Sequence, residues 1–316
     1  MPVREGALVM GRIATKHAIA AVLLAATFAD APTGWGVTPD LRAADSAATR
    51  RPLENAFGAS AQISGLDYPS NEPFGDDLRF RFVATNLLNP YPATYVWRIR
   101  PRQQTGYYTT FFWGPDGDFT GTSFYGAHPY PDGGSTGTTH KWEISIEGED
   151  DVVDENGHPT QVIYGDWFQQ ALVVRLVNAD EIEATFYWDL PDTSKRIVHT
   201  TQFTDYATTF GSPPYPGKAL SFGDAPWSIG NERLSGILRG IQIYAATLSL
   251  VDISAEIENP LSSVAGSTSI WYLNINPTPD DISDHSGQAH HPAWASSARP
   301  ALWVDLEDRI FASGFE

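Results

Sequence analysis

Apolar and polar side chains alternate along short segments of this chain more often than they recur at helical spacing. Leu78, Phe80 and Phe82 alternate with Arg79 and Arg81, and Tyr95, Trp97 and Ile99 with Val96 and Arg98. A two-residue period puts one set of side chains on a buried face and predicts half-buried strands. The same habit predicts strands at Tyr107–Trp113, His140–Ile146, Val162–Tyr164, Phe168–Leu176, Ile182–Trp188, Ile197–Phe203, Trp227–Ile229, Ile237–Tyr244 and Ile270–Asn274. Turn-forming clusters such as Gly114-Pro115-Asp116-Gly117, Asp132-Gly133-Gly134 and Asn156-Gly157 separate them. One short helix is expected over Ser249–Ile257, with Ser249 as its cap. Strands at this spacing without intervening amphipathic helices indicate an all-β chain built as a two-sheet antiparallel β-sandwich. No motif recurs at the fixed period of a propeller or solenoid.

The ends read differently from the middle. Arg4, Arg12 and Lys16 precede an apolar stretch from Ala18 to Phe28, and Ala29-Asp30-Ala31 supplies small residues where a signal peptidase cuts. Residues 1–31 are therefore read as a secretory signal, since the apolar stretch falls short of the ~20 residues that cross a bilayer. Residues 32–60, rich in Ala, Thr, Pro and Arg, read as a linker. Residues 61–305 form the sandwich, with a C-terminal extension from about residue 261, and 306–316 form a tail. The expected product is secreted, on the cell surface or periplasmic, with no membrane span.

Composition narrows the chemistry. The 316 residues include no cysteine, which excludes disulfides, thiolate metal sites and a thiol nucleophile. With 38 acidic against 20 basic side chains, the formal charge of −18 repels phosphate backbones and anionic lipid heads. Nucleic acid is not an expected partner. Neutral sugars, cations and other proteins remain.

The stretch Trp227-Ser228-Ile229-Gly230-Asn231, then Gly236-Ile237-Leu238-Arg239-Gly240-Ile241-Gln242-Ile243-Tyr244, Leu248-Ser249 and Ala255-Glu256-Ile257, resembles the closing part of laminin-G-like domains. Asp166-Trp167-Phe168-Gln169-Gln170-Ala171-Leu172 is similar to an upstream strand of that family. The resemblance covers roughly residues 75–260 and implies a concanavalin A-like jelly roll. Where the family carries Tyr-Val-Asp-Gly, this chain has Tyr187-Trp188-Asp189-Leu190. Trp271-Tyr272-Leu273-Asn274 and Asp284-His285-Ser286-Gly287 resemble a segment that normally opens such domains, yet here follow the closing element. They are expected to add a strand or lid, or to begin a second copy. The ending Ile310-Phe311-Ala312-Ser313-Gly314-Phe315-Glu316 resembles terminal tags on exported proteins of Gram-negative bacteria, with a frayed apolar end as the alternative.

Sugar rings stack their C–H faces on aromatic side chains while nearby polar groups order the hydroxyls. Trp113, Tyr125, His128 and Tyr130 lie among glycines and prolines and are expected on exposed loops, with Trp142 and Arg98 as further sugar contacts. For hydrolysis, Glu143 and Glu147 fall on one strand face, as a two-carboxylate mechanism needs, but the jelly-roll glucanase pattern Glu-x-Asp-x-(x)-Glu is missing. A lyase would need a base such as His128, His140 or Tyr125 and a carboxylate neutraliser such as Arg98. Asp150, Asp151 and Asp154 form one candidate calcium group and Asp280 with Asp284 a second, because Ca2+ prefers several oxygen ligands. Calcium is common in the superfamily that the chain resembles. The leading expectation is a protein that binds a polysaccharide or surface glycan without turning it over. A polysaccharide-degrading enzyme and an adhesive protein that binds protein partners are the rivals.

Overall fold

The computed structural model describes residues 64–70, 75–83, 91–116, 125–146, 149–178, 181–202, 217–225, 229–258, 270–274 and 277–305. The leader, the linker and the tail lie outside these residues. All described residues belong to one compact unit, Ser46–Glu316.

The fold is a β-sandwich of two antiparallel sheets. Sheet I runs β10 (Arg196–Gln202), β9 (Glu181–Leu190), β8 (Phe168–Asn178), β3 (Ala93–Pro101), β12 (Gly236–Tyr244), β1 (Ser64–Tyr68) and β15 (Ala301–Val304), with β13 (Ile270–Asn274) also on β12. Sheet II runs β14 (Ala293–Trp294), β2 (Phe80–Val83), β11 (Lys218–Phe222), β4 (Phe111–Pro115), β5 (Tyr125–Asp132), β6 (Thr139–Ile146) and β7 (Glu149–Asp151). The region after residue 261 contributes to both sheets: β13 and β15 pair in sheet I, and β14 pairs with β2 in sheet II. Among the described residues no helix is long and apolar enough to cross a membrane.

Aromatic rings fill the space between the sheets. Trp97, Trp113, Trp142, Tyr68, Tyr95, Tyr108, Phe80 and Phe111 are fully buried. Phe80 stacks on Phe222 with centroids 5.1 Å apart, and Phe111 lies 4.7 Å from Tyr95. Buried indoles need acceptors for their N–H groups. Trp113 Nε1 donates to the Tyr95 hydroxyl at 3.2 Å and Trp97 Nε1 to Gln170 Oε1 at 2.8 Å. Gln170 Nε2 in turn donates to the Trp188 carbonyl at 3.1 Å.

Strand β12 breaks its alternation. Leu238 and Ile241 both join the interlayer core because one extra residue separates the pair Arg239–Arg98 from Gln242–Val96. Gly240, at φ 66°, takes the left-handed conformation that this bulge requires. A second, smaller core lies on the outer face of sheet I. There Leu248 and Ile253 of the turn and helix α1 (Leu250–Glu258) cover Val96, Ala171, Val173 and Tyr244. Ser249 Oγ accepts the Asp252 N–H at 3.2 Å, which makes Ser249 the helix cap expected from sequence.

Several strands differ from the sequence reading. Residues 107–110 precede β4 instead of forming its start, and Val162–Tyr164 is not a strand. Tyr125–Asp132, expected as a loop, is β5. Its prolines Pro129 and Pro131 fall beyond Ala127, the last residue paired with β4, where the strand has a partner on one side only. A missing N–H is tolerated there.

Gln170→Leu would leave the Trp97 indole N–H without its buried acceptor. A loss of about 2 kcal/mol in urea-unfolding free energy is expected at unchanged secondary structure; an unchanged midpoint would show that this hydrogen bond contributes nothing.

Candidate functional site

The alternation that sends Phe80, Phe111, Trp113, Trp142 and Ile144 into the interlayer core sends their neighbours to the outer face of sheet II. Cross-strand register puts Arg81, Ser221, Phe112, Gly126, Ser145 and Asp150 in one row across six strands. In the adjacent row His128 faces Glu143. An outer sheet face is ordinarily solvated. This one is not: Ser221 is 0% exposed, Phe112 and Glu143 1%, Ser145 5% and His128 9%. The His128 Nε2 lies 2.8 Å from Glu143 Oε1. The Phe112 ring lies across Gly126, where a Cβ would stand 2.5 Å from a ring carbon, so glycine is what admits the ring.

Charged and aromatic groups flank this floor. On one side Arg79 Nε donates to both carboxylate oxygens of Asp77, at 3.0 and 2.9 Å, and Arg81 pairs with Asp116. On the other, Tyr130 meets Tyr107 edge to face at 5.6 Å and Lys141 pairs with Asp132 at 2.9 Å. The buried hydroxyls of Ser221 and of Thr110, one residue before β4, make no hydrogen bond among the described residues. The floor thus brings a carboxylate and an imidazole together between charged and aromatic flanks.

The sequence-derived candidates divide sharply. His128, Tyr130 and Glu143 come together on this floor, and Tyr125 sits on the same strand as the first two. They are strand-borne, which corrects the expectation of loops. Trp113 and Trp142 are corrected outright: both are 0% exposed in the interlayer core, where no ligand can stack on them. His140 is also buried. Its Nε2 donates to the Gly106 carbonyl and its Nδ1 accepts from the Tyr164 hydroxyl, each at 2.6 Å, and burial holds its pKa below the usual histidine range. It is a structural residue. Arg98 stands on the outer face of sheet I, so the lyase set is split between opposite sides of the sandwich. Glu147 lies outside the described residues.

Among the proposed calcium ligands, the side chains of Asp151, Asp154, Asp280 and Asp284 are described. Asp154 is 3% exposed, and its carboxylate accepts from the backbone N–H of Asn156 at 2.9 Å and His158 at 3.1 Å, His158 Nδ1 at 2.9 Å and Trp188 Nε1 at 3.1 Å. Its oxygens are spent on a turn. Asp151 caps the Val153 N–H at 2.8 Å. Asp284 accepts from Ser286 N at 2.7 Å and His290 N at 2.9 Å, whereas Asp280 is exposed. Among the described residues no group of three or more His, Asp or Glu side chains is arranged to hold a metal.

Sequence reasoning missed Asp224. It is fully buried and accepts from Ala225 N at 2.9 Å and Gly230 N at 2.8 Å, and burial pushes its pKa up to about 7. A single carboxylate among turn residues carries no pattern that would have announced it.

No protein-family model and no curated protein matches the chain. Among solved structures, it is similar to a protein of Bacteroides ovatus assigned as carbohydrate-binding: TM-score 0.44 and 12% identity over 77% of this chain and 60% of that one. A tailspike protein of an Escherichia coli bacteriophage gives TM-score 0.40 and 15% identity over 68% of this chain, which spans 28% of the tailspike. An alginate lyase of an Alteromonas species gives TM-score 0.27 and 11% identity over 60% of this chain and 96% of that one.

Asp154 and Asp224 should respond to pH in opposite senses. Burial raises Asp154, but the N–H donors outweigh it and its pKa is lowered, so its stabilisation is full above the ordinary carboxylate range and lost as pH falls through that range. Asp154→Ala should cost about 2 kcal/mol at neutral pH, with the deficit shrinking in acid melts. Asp224 is raised, so ionising it weakens the fold as pH climbs from the ordinary carboxylate range through about 7. Thermal melts from acid to pH 8 should show wild type losing ground to Asp224→Asn over that interval; parallel curves would refute it.

Proposed function

We propose that this protein is an exported, laminin-G-like glycan-binding protein that holds a polysaccharide or surface glycan against the outer face of sheet II without turning it over. The observation that carries the reading is the pairing of His128 with Glu143 on the face turned away from the core. Sugar hydroxyls need donors and acceptors in fixed positions, and a carboxylate is the strongest neutral-hydroxyl acceptor a protein offers. Tyr130 with Tyr107 supplies ring surface at the margin. The laminin-G resemblance of the closing strand supports the same scaffold, and the leader supports export.

A second reading rests on the His128–Glu143 contact itself. An imidazole 2.8 Å from a buried carboxylate can move a proton, so the same floor is arranged for acid–base work on a bound glycan.

Glycan arrays followed by titration calorimetry test the leading reading. Glu143→Gln should weaken binding of any glycan found by about tenfold, equivalent to about 1.4 kcal/mol, while the melting temperature holds. Blank arrays for wild type would remove it. Release of reducing ends or unsaturated products, abolished by Glu143→Gln, would replace it with the enzymatic reading.

A further inference from the structure

A different part of the molecule, the outer face of sheet I, brings arginine and tryptophan side chains together. Cross-strand register aligns Trp303 with Gly65, and Arg239 with Arg98 and then Gln169. The Arg239 guanidinium lies 4.8 Å over the Trp167 ring and 5.4 Å from that of Trp303, and the two indoles meet edge to face at 5.2 Å. Gly65 makes this possible. A Cβ there would stand 3.0 Å from the Leu238 carbonyl oxygen and 3.1 Å from the Arg239 Cβ.

Charge is the unusual feature. Arg98 and Arg239 are direct partners across two strands, and like charges facing each other in a sheet destabilise it. The Arg98 Nε donates to an amide oxygen, that of Gln169, not to a carboxylate. Gln169 is itself anchored, its Nε2 donating to the Trp97 carbonyl at 3.0 Å, so the guanidinium is held in one orientation. Burial and then Arg239 push the Arg98 pKa down to about 9. Arg100 follows on the same face of β3, and Arg102, just past its end, is bound to both oxygens of Asp67, at 2.6 and 2.9 Å. In a chain of formal charge −18, this face concentrates arginine and half-buried tryptophan.

We propose that Arg98 and Arg239, with Trp167 and Trp303, form a binding site for an acidic saccharide whose carboxylate spans the two guanidiniums while its ring packs on the indoles. The anion removes the repulsion between the arginines, guanidinium and carboxylate match in plane and spacing, and tryptophan accepts the C–H face of a sugar. The site stands apart from the floor on sheet II and does not depend on it.

The test is calorimetry at low salt with oligogalacturonate, a neutral maltooligosaccharide and poly-glutamate. Wild type should bind oligogalacturonate at least tenfold more tightly than either of the others. Arg98→Gln should remove that preference without lowering the melting temperature, because it deletes a like charge. Trp303→Ala, at the rim, is a second variant expected to weaken oligogalacturonate binding if Arg98→Gln folds poorly. Arg175→Gln, at the other end of β8, and Glu143→Gln should leave it unchanged. Equal affinity for the neutral sugar, equal affinity for poly-glutamate, or a preference that survives both Arg98→Gln and Trp303→Ala would each overturn the proposal. Loss of oligogalacturonate binding in Glu143→Gln would overturn it too, by assigning the acidic sugar to sheet II.

Discussion

The slab of aromatic rings between the two sheets is the constraint on which everything else in this structure depends. Strand side chains alternate faces, so each ring committed to the slab sends its neighbours outward. Trp142 and Ile144 inward place Glu143 outward; Tyr95, Trp97 and Ile99 inward place Arg98 outward. The slab therefore aims the polar residues without touching them, and a one-residue slip would bury Glu143 and Arg98 in hydrocarbon. The internal acceptors on Tyr95 and Gln170 keep the indoles of the slab in register as well as buried.

The two outer faces solve different problems. Sheet I spends part of its outer face on a second core under helix α1, where the Thr94 hydroxyl donates to the Ala246 carbonyl at 2.7 Å and accepts the Leu248 N–H at 3.0 Å. The rest carries the arginine and tryptophan row. Sheet II keeps a polar floor with little exposure, flanked by paired charges. Polar groups are expensive to bury without partners, and on this face His128 and Glu143 partner each other.

Local chemistry reached well into the fold but stopped short of the site. Alternation in 78–82, 93–99, 140–146, 168–176, 182–188 and 237–244 falls on strands because each segment carries its own two-residue signal, and Ser249 announces the helix that it caps. Strand β5 was hidden because Gly126, Pro129 and Pro131 are loop residues in isolation; Gly126 pairs with Phe112, and the prolines become tolerable only beyond Ala127, where pairing with β4 has ended. Trp113 shows the same limit. Its glycine-rich neighbourhood suggested a loop, whereas its indole found a phenol on the opposite sheet to accept its proton.

What the sequence determined by itself was the class of structure and the presence of aromatic and acidic chemistry, because composition and periodicity are properties of consecutive residues. Only the tertiary structure decided which residues share a face. His128 and Glu143 meet because β5 and β6 pair in one register; Arg98 and Arg239, far apart in the chain, meet because β3 and β12 do. That pairing is set by packing the slab as a whole, a nonlocal constraint that no segment of the chain carries alone.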